Sequence, residues 1–255
     1  VSEPKITALV VARDEEANLP GCLESVGFAH ERIVVVDPAS EDDTLGVARR
    51  LADVVMVRPF DDFASQRNAG LAAASGDWIL SIDADERVTP ELALEISQAL
   101  SRPNNDVVGF RIPIRSAILG RPFGHSGTRQ DLPLRLFRRD RGSWIGRVHE
   151  TVKLDGAIDR MRNPLDHDTI PDIRVFLRKI EHYTTLEARD LYQAGGRFRT
   201  RDLTLRPVWL FLKLYVLKQG FRDGLEGLMF CGLSGVSAAV RTWKLRELAL
   251  MEASA

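Results

Sequence analysis

Two carboxylates one residue apart, Asp83 and Asp85, follow an apolar run of Trp78, Ile79, Leu80 and Ile82. The run reads as a short buried strand. Carboxylates placed where that strand stops are costly to bury alone, so they meet a cation or water. Carboxyl ends of strands in open α/β sheets are also where ligands bind. One reading is therefore a divalent metal at this edge, holding the phosphates of a nucleotide. The other is an acidic turn in which Asp83 caps the next helix. On these residues alone both readings stand open.

The elements that must position the two acids alternate. Residues 6–11 are β-branched and apolar, a first strand, and break into Ala12-Arg13-Asp14-Glu15-Glu16. Leu19, Cys22, Leu23 and Val26 recur at i, i+3, i+4 and i+7, and Pro20 suits a first helical turn. A second strand over 33–36 ends in the acidic loop 37–44. A helix through Leu45, Ala48, Leu51 and Ala52, a strand over 54–57 and a helix over 63–74 lead to the strand before Asp83. Short connections between alternating strands and helices predict an α/β fold, a parallel sheet with helices on both faces. Thr89-Pro90-Glu91 starts a helix running to about residue 100.

Beyond residue 106 the rhythm changes. Residues 107–114, 134–138 and 151–154 read as strands that extend the first sheet, and 120–131 as a mobile flap. From 173 the pattern is helical. Residues 207–217 and 227–240 are apolar but too short to span a bilayer comfortably. Arg197, Arg199, Arg201 and Arg206 precede them, and Arg241, Lys244 and Arg246 follow. They fit buried helices, an oligomer interface or helices lying in a membrane surface.

The 255 residues allow one large domain or a domain with a helical appendage. A net charge of -1 gives no general reason to expect nucleic acid. Cys22 and Cys231 form neither a metal spacing nor a disulfide framework, which fits a reducing compartment. The first residues lack a signal-peptide pattern, and the expected location is cytoplasmic, at the cytoplasmic face of the inner membrane.

Four motifs follow in order: Val10-Val11-Ala12-Arg13-Asp14-Glu15-Glu16, the loop Val35 to Thr44, Arg67-Asn68-Ala69-Gly70, and Gly76-Asp77-Trp78 leading to Asp83-Ala84-Asp85-Glu86. Together they resemble the family-two glycosyltransferases. Leu134 to Arg139 followed by Val148-His149-Glu150 looks like the subgroup containing lipopolysaccharide core β-1,4-glucosyltransferases. So does Gly220-Phe221-Arg222-Asp223-Gly224 with Lys244-Leu245. Two departures stand out: Arg13 replaces an Asn, and Pro38-Ala39 stands where a small or acidic residue and then Gly are usual.

The resemblance implies a GT-A type, Rossmann-like fold. Its mixed, mostly parallel sheet is flanked by helices, with a catalytic domain over 1–172 and a C-terminal helical extension over 173–255. It implies a UDP-sugar donor, with Mg²⁺ or Mn²⁺ on Asp85, on Asp83 directly or through water and ribose, and on His167. Ala12, Glu15, Asp37, Arg67, Asp83 and Ala84 would line the nucleoside and phosphates. Glu150 would be the general base of an inverting displacement that moves a hexose, glucose by expectation, onto a hydroxyl of a lipopolysaccharide-core or related glycolipid acceptor. Glu150 could instead pair with Arg147 or another surface cation. His149 could orient donor or acceptor, or be scaffolding. Glu86 is read as support behind the site or as a helix start. Arg135 and Arg138 would meet an anionic acceptor or belong to an ordinary two-faced strand.

Other classes fit less well. No Gly-x-Gly-x-x-Gly and no Gly-Lys-Ser/Thr loop occurs, which weakens dehydrogenase and P-loop readings. Gly124-His125-Ser126-Gly127 is not a nucleophile elbow. The rivals are a non-catalytic sugar-nucleotide or carbohydrate-binding module, and transfer to a polyprenyl phosphate.

Overall fold

In a computed structural model of the chain, residues 4–101, 106–127, 132–146 and 150–253 are described. The first half alternates as its residues dictate: β1 (Ile6–Ala12), α1 (Leu19–Ser25), β2 (Glu31–Val36), α2 (Thr44–Leu51), β3 (Val54–Val57), α3 (Phe63–Ala73) and β4 (Trp78–Asp83). Along β1, Ile6, Ala8, Val10 and Ala12 enter one apolar cluster and Leu9 enters another. A strand buried on both faces belongs in the middle of a parallel sheet. The first cluster takes Leu19, Cys22 and Leu23 of α1, Val47 of α2 and Leu92 and Ile96 of α4 (Pro90–Ser101). On the other face α3 lies close: a Cβ at Gly70 would come within 2.2 Å of Leu9 Cδ1 and 3.0 Å of Val35 Cγ2.

The later strands are β5 (Glu86–Val88), β6 (Val107–Arg111), β7 (Ile114–Ile118), β8 (Arg121–Pro122), β9 (Leu134–Arg138), β10 (Gly142–Ile145), β11 (Thr151–Leu154), β12 (Ala157–Arg160) and β13 (Leu165–Ile170). The main sheet runs β12-β6-β9-β4-β1-β2-β3. β4, β1, β2 and β3 are mutually parallel, and β9 is antiparallel to β4 and β6. The chain moves from β1 outward to β2 and β3, then returns to place β4 on the other side of β1. That reversal makes a crevice at the carboxyl ends of β1 and β4, the place where such sheets bind ligands. Val11 is paired with Asp83 and Ala12 with Val36, so Ala12, Asp37 and Asp83 reach the same edge.

Three expectations about this region need correction. The strand over 107–114 is two strands, broken at Ile112-Pro113, because proline has no N–H for the ladder. Strand 151–154 does not extend the main sheet. It forms an antiparallel hairpin with β10, and β12 supplies the edge instead. Within 120–131, Phe123 and Ser126 are buried, and Gly124 N–H and Ser126 Oγ donate to Asp223 at 3.1 and 2.8 Å, so 123–126 are packed and do not stand free as a flap. Residues 128–131 lie outside the described residues.

The chain divides into two compact units, Val1–Arg115 with Asp131–His167, and Ser116–Gln130 with Asp168–Ala255. The sequence predicts instead a boundary at 172, with 116–130 in the first part. The second unit contains α5 (Ile173–Gln193), α6 (Thr200–Leu212), a π turn (Lys213–Leu217), a 3-10 turn (Gly220–Asp223) and α7 (Gly224–Ala253). Its core joins Ile118, Phe123, Ile170, Phe176 and Ile180, with Phe176 stacked on Phe230. Among the described residues, no helix is long and apolar enough to cross a membrane.

Glu95 of α4 holds the turn that leads into β13. It accepts from the N–H groups of Arg162 and Asn163 at 2.9 Å and from Asn163 Nδ2 at 2.8 Å. Burial opposes its ionisation, but the hydrogen bonds from Asn163 and Arg162 prevail and hold its carboxyl below the ordinary value. A folded value below the unfolded one gives stability that is present above about pH 4.3 and lost as pH falls through the folded value. Glu95→Gln is expected to cost about 1 kcal/mol near neutrality and to flatten the acid limb of stability, read from urea midpoints across pH. An unchanged acid limb would show that the turn does not depend on this carboxylate.

Candidate active site

The acids that end β4 are built into a network of charge. Asp83 is the last residue of the strand, and its two oxygens face two guanidinium groups. Arg67 Nη2 donates to Asp83 Oδ1 at 2.7 Å, and Arg135 Nη2 donates to Asp83 Oδ2 at 2.8 Å. Arg67 comes from α3, one turn before Gly70, and its Nη1 donates to Ser81 Oγ at 2.8 Å. Arg135 comes from β9, beside β4. It also donates to Glu86 Oε1 at 2.5 Å, while Glu86 Oε2 accepts the Asp83 N–H at 2.8 Å.

Electrostatics follow from this placement. Burial opposes ionisation of Asp83, but Arg135 and Arg67 outweigh it and hold the carboxyl well below the usual range. Glu86 is almost fully enclosed. Burial pushes its carboxyl up to about 7, with the Asp83 charge adding and the Arg135 charge opposing. Burial works against the charge of Arg135, yet Asp83 and Glu86 raise its pKa further above the ordinary value. Cys22 donates to the Asp83 carbonyl at 3.5 Å, and burial pushes that thiol up, so it packs as a neutral side chain.

Asp85 is reached from the other side. β13 pairs antiparallel with β5, setting His167 opposite Glu86. His167 Nε2 lies 3.1 Å from Asp85 Oδ2. Burial works against a charge on His167, but Asp85 prevails and raises its pKa. The neighbouring Asp166 is gripped by Arg115, at 2.5 and 2.8 Å, which anchors the strand. A carboxylate and an imidazole set together match the oxygen and nitrogen donors that Mg²⁺ or Mn²⁺ accepts when phosphates and water complete its shell. Asp83 does not join them: both its oxygens are turned to arginines. Among the described residues, no group of three or more His, Cys, Asp or Glu is placed to hold a metal ion.

Beside the crevice, the loops after β1 and β2 are stitched together. Glu15 N–H donates to Thr44 Oγ1 at 2.8 Å, Glu41 N–H to Asp14 Oδ1 at 2.7 Å, and Asp43 N–H to Glu16 Oε2 at 2.9 Å. Asp37 is buried; its Oδ1 accepts Ala39 N–H at 3.1 Å and its Oδ2 accepts Arg13 Nη1 at 3.3 Å. The two departures from the family pattern thus meet at one side chain. The positive φ falls at Asp14 in the facing loop, at 56°, and not at Ala39. The Glu15 carboxylate accepts from Asn18 Nδ2 at 2.8 Å. The methyl groups of Ala12 and Ala84 lie in the apolar core, so neither presents a side chain to a ligand.

Glu150 is partly buried beside a cation of α3. Its Oε1 is 3.4 Å from Arg67 Nε, and the arginine is buried. That contact is ionic without hydrogen-bond geometry. Arg67 Nε and Arg135 Nε are both buried donors with no hydrogen-bond acceptor among the described residues. Glu150, Arg67, Asp83, Arg135 and Glu86 therefore form one connected cluster. His149 and Arg147 lie outside the described residues. Arg135 is committed to Asp83 and to the buried Glu86. Arg138 forks onto Asp140 at 3.0 and 2.9 Å, as a two-faced strand would allow. Glu86 starts no helix: it sits in β5 and braces the Asp83 turn. Its signal was present, since three carboxylates within four residues need more than one counter-cation.

A mostly parallel sheet with helices on both faces, an acidic turn at its switch point and a helical extension is a fold of the GT-A type. The chain belongs to glycosyl transferase family 2, whose family model matches residues 7–184. It is 31% identical to the lipopolysaccharide core biosynthesis glycosyltransferase LpsC of Rhizobium meliloti, over 92% of this chain and 86% of that one. It is 28% identical to an uncharacterized glycosyltransferase of Rickettsia typhi, over 96% of this chain and 88% of that one. Among solved structures, glucosyl-3-phosphoglycerate synthase of Mycobacterium tuberculosis aligns at a TM-score of 0.46 and 16% identity, over 76% of this chain and 80% of that one.

Proposed function

We propose that the chain is an inverting, metal-dependent hexosyltransferase. It moves glucose from UDP-glucose to a hydroxyl of a lipopolysaccharide-core glycolipid at the cytoplasmic face of the inner membrane. The observation that carries this reading is the acidic turn at the β1/β4 switch point, joined through Arg67 to Glu150. Identity to LpsC over most of both chains supports the acceptor class.

Each residue has a task in this reading. Asp37, Glu15 and the backbone at Ala12 and Ala84 hold the nucleoside. Arg67 and Arg135 fix the Asp83 carboxylate, so the ribose meets a preset acceptor oxygen. Asp85 and His167 would hold Mg²⁺ or Mn²⁺, which as a Lewis acid neutralises charge growing on the departing diphosphate. Glu150 takes the proton of the acceptor hydroxyl as that oxygen bonds to the anomeric carbon. The carbon–oxygen bond to the diphosphate breaks, its electron pair leaves with UDP, and the anomeric configuration inverts.

Calorimetry with UDP-glucose, UDP-GlcNAc, UDP-galactose and GDP-mannose in the presence of Mn²⁺ tests the donor. UDP-glucose is expected to bind most tightly. Asp85→Ala is expected to lower UDP release in the presence of acceptor by about 10³-fold, as does a chelator. Donor binding without turnover across saccharide, glycolipid and polyprenyl phosphate acceptors would instead mark a sugar-nucleotide-binding module.

A further inference from the structure

α6 carries apolar residues on two faces. Pro207 and Phe211 meet α7, where a Cβ at Gly235 would sit 3.0 Å from the Pro207 carbonyl oxygen and 3.8 Å from Phe211 Cβ. A second stripe, at i, i+3, i+4, i+7 and i+11, is formed by Leu205, Val208, Trp209, Leu212 and Val216, all exposed. The four positions within α6 fall within roughly 100° of one helix face, and Val216 follows in the π turn. Leu205 and Trp209 are 68% and 58% exposed, and no residue of α6 or the π turn after it is buried. A contiguous apolar face of this kind marks an interaction site.

The charges around the stripe select its partner. Arg206 and Lys213 are exposed along one border. From residue 199 to 222 the chain carries Arg199, Arg201, Arg206, Lys213, Lys218 and Arg222, against one acid, Asp202. A two-fold contact with a second copy would place this patch on itself and set cation against cation. An anionic lipid surface presents the complementary charge and takes the apolar stripe into its acyl boundary, with the indole at headgroup level. No described helix is fit to cross the bilayer, so the contact is with one leaflet.

We propose that the Leu205–Val216 face of α6 and the following π turn is a docking surface for an anionic bilayer, which the helix meets lying flat. This holds whatever hydroxyl the enzyme glycosylates, and its test does not use activity. The full chain is floated with vesicles of phosphatidylethanolamine and phosphatidylglycerol, and with vesicles of phosphatidylcholine alone. It is expected to float with the first and much less with the second. Arg206→Gln with Lys213→Gln should weaken anionic-vesicle binding about 30-fold. Trp209→Ala with Leu212→Ala should weaken it about tenfold or more. All four side chains are exposed, so thermal unfolding of both variants should match the parent. Absent flotation, or flotation indifferent to both pairs of substitutions, overturns the proposal. So does concentration-dependent self-association that Trp209→Ala abolishes, because the face would then belong to a second copy.

Discussion

Exchanging Glu150 for Gln is expected to reduce glycosyl transfer by about 10²–10⁴-fold, the usual contribution of a positioned general base. Glutamine keeps the size of the side chain and a polar oxygen beside Arg67. What it loses is the ability to take a proton. Donor binding should survive, because Arg67 still has Asp83 and Ser81 as partners. The measurement is steady-state UDP release with acceptor, beside calorimetry of the donor alone. A structural role for Glu150 predicts the opposite split: a lowered melting temperature and weakened donor binding with turnover largely kept. Turnover within a few-fold of the parent would remove Glu150 from the mechanism and leave the proton to another group.

Replacing Arg135 by Met should be the most destabilising single change in the cluster, at about 3–5 kcal/mol, the cost of leaving buried charge without its partner. Arg135 serves two carboxylates at once, Asp83 at 2.8 Å and Glu86 at 2.5 Å. Arg67 remains for Asp83 after the substitution, but Glu86 has no second guanidinium among the described residues. Adding Glu86→Gln to Arg135→Met should therefore recover part of the loss, since an amide needs no counter-charge and can still accept the Asp83 N–H. Urea midpoints of the two single variants and the double variant measure this coupling. Equal and additive losses would mean that the two side chains do not act as a unit.

Much of this was written along the chain. The alternation of β-branched runs with i, i+3, i+4 patterns determined the parallel half-sheet. Its strands ran close to the expected ranges because both local preference and burial favour the same period. The motif residues were legible as residue types at fixed points: carboxylates after an apolar run, Arg67 one turn before a glycine. The later strands were harder. Three or four residues of β10, β12 or β5 carry too little periodicity to announce a strand, and what orders them is the neighbour they pair with.

Apart from His167, which the family resemblance set with Asp85, the partners of the charged groups came only from the tertiary structure. Asp83 looked like a metal ligand because two acids one residue apart point toward a shared edge. Strand order brings β9 against β4, and Arg135 with it, so both Asp83 oxygens are paired with arginines. His167 is 82 residues from Asp85 along the chain and meets it only because β13 pairs with β5. The same holds for Arg13 and Asp37, drawn together by adjacent parallel strands. Sequence by itself determined which chemical groups the chain owns and which local elements carry them, because those depend on neighbours a few residues away. Which carboxylate faces a cation of the protein and which stays with a histidine was decided by long-range packing, because charge interactions depend on distance and burial, not on order along the chain.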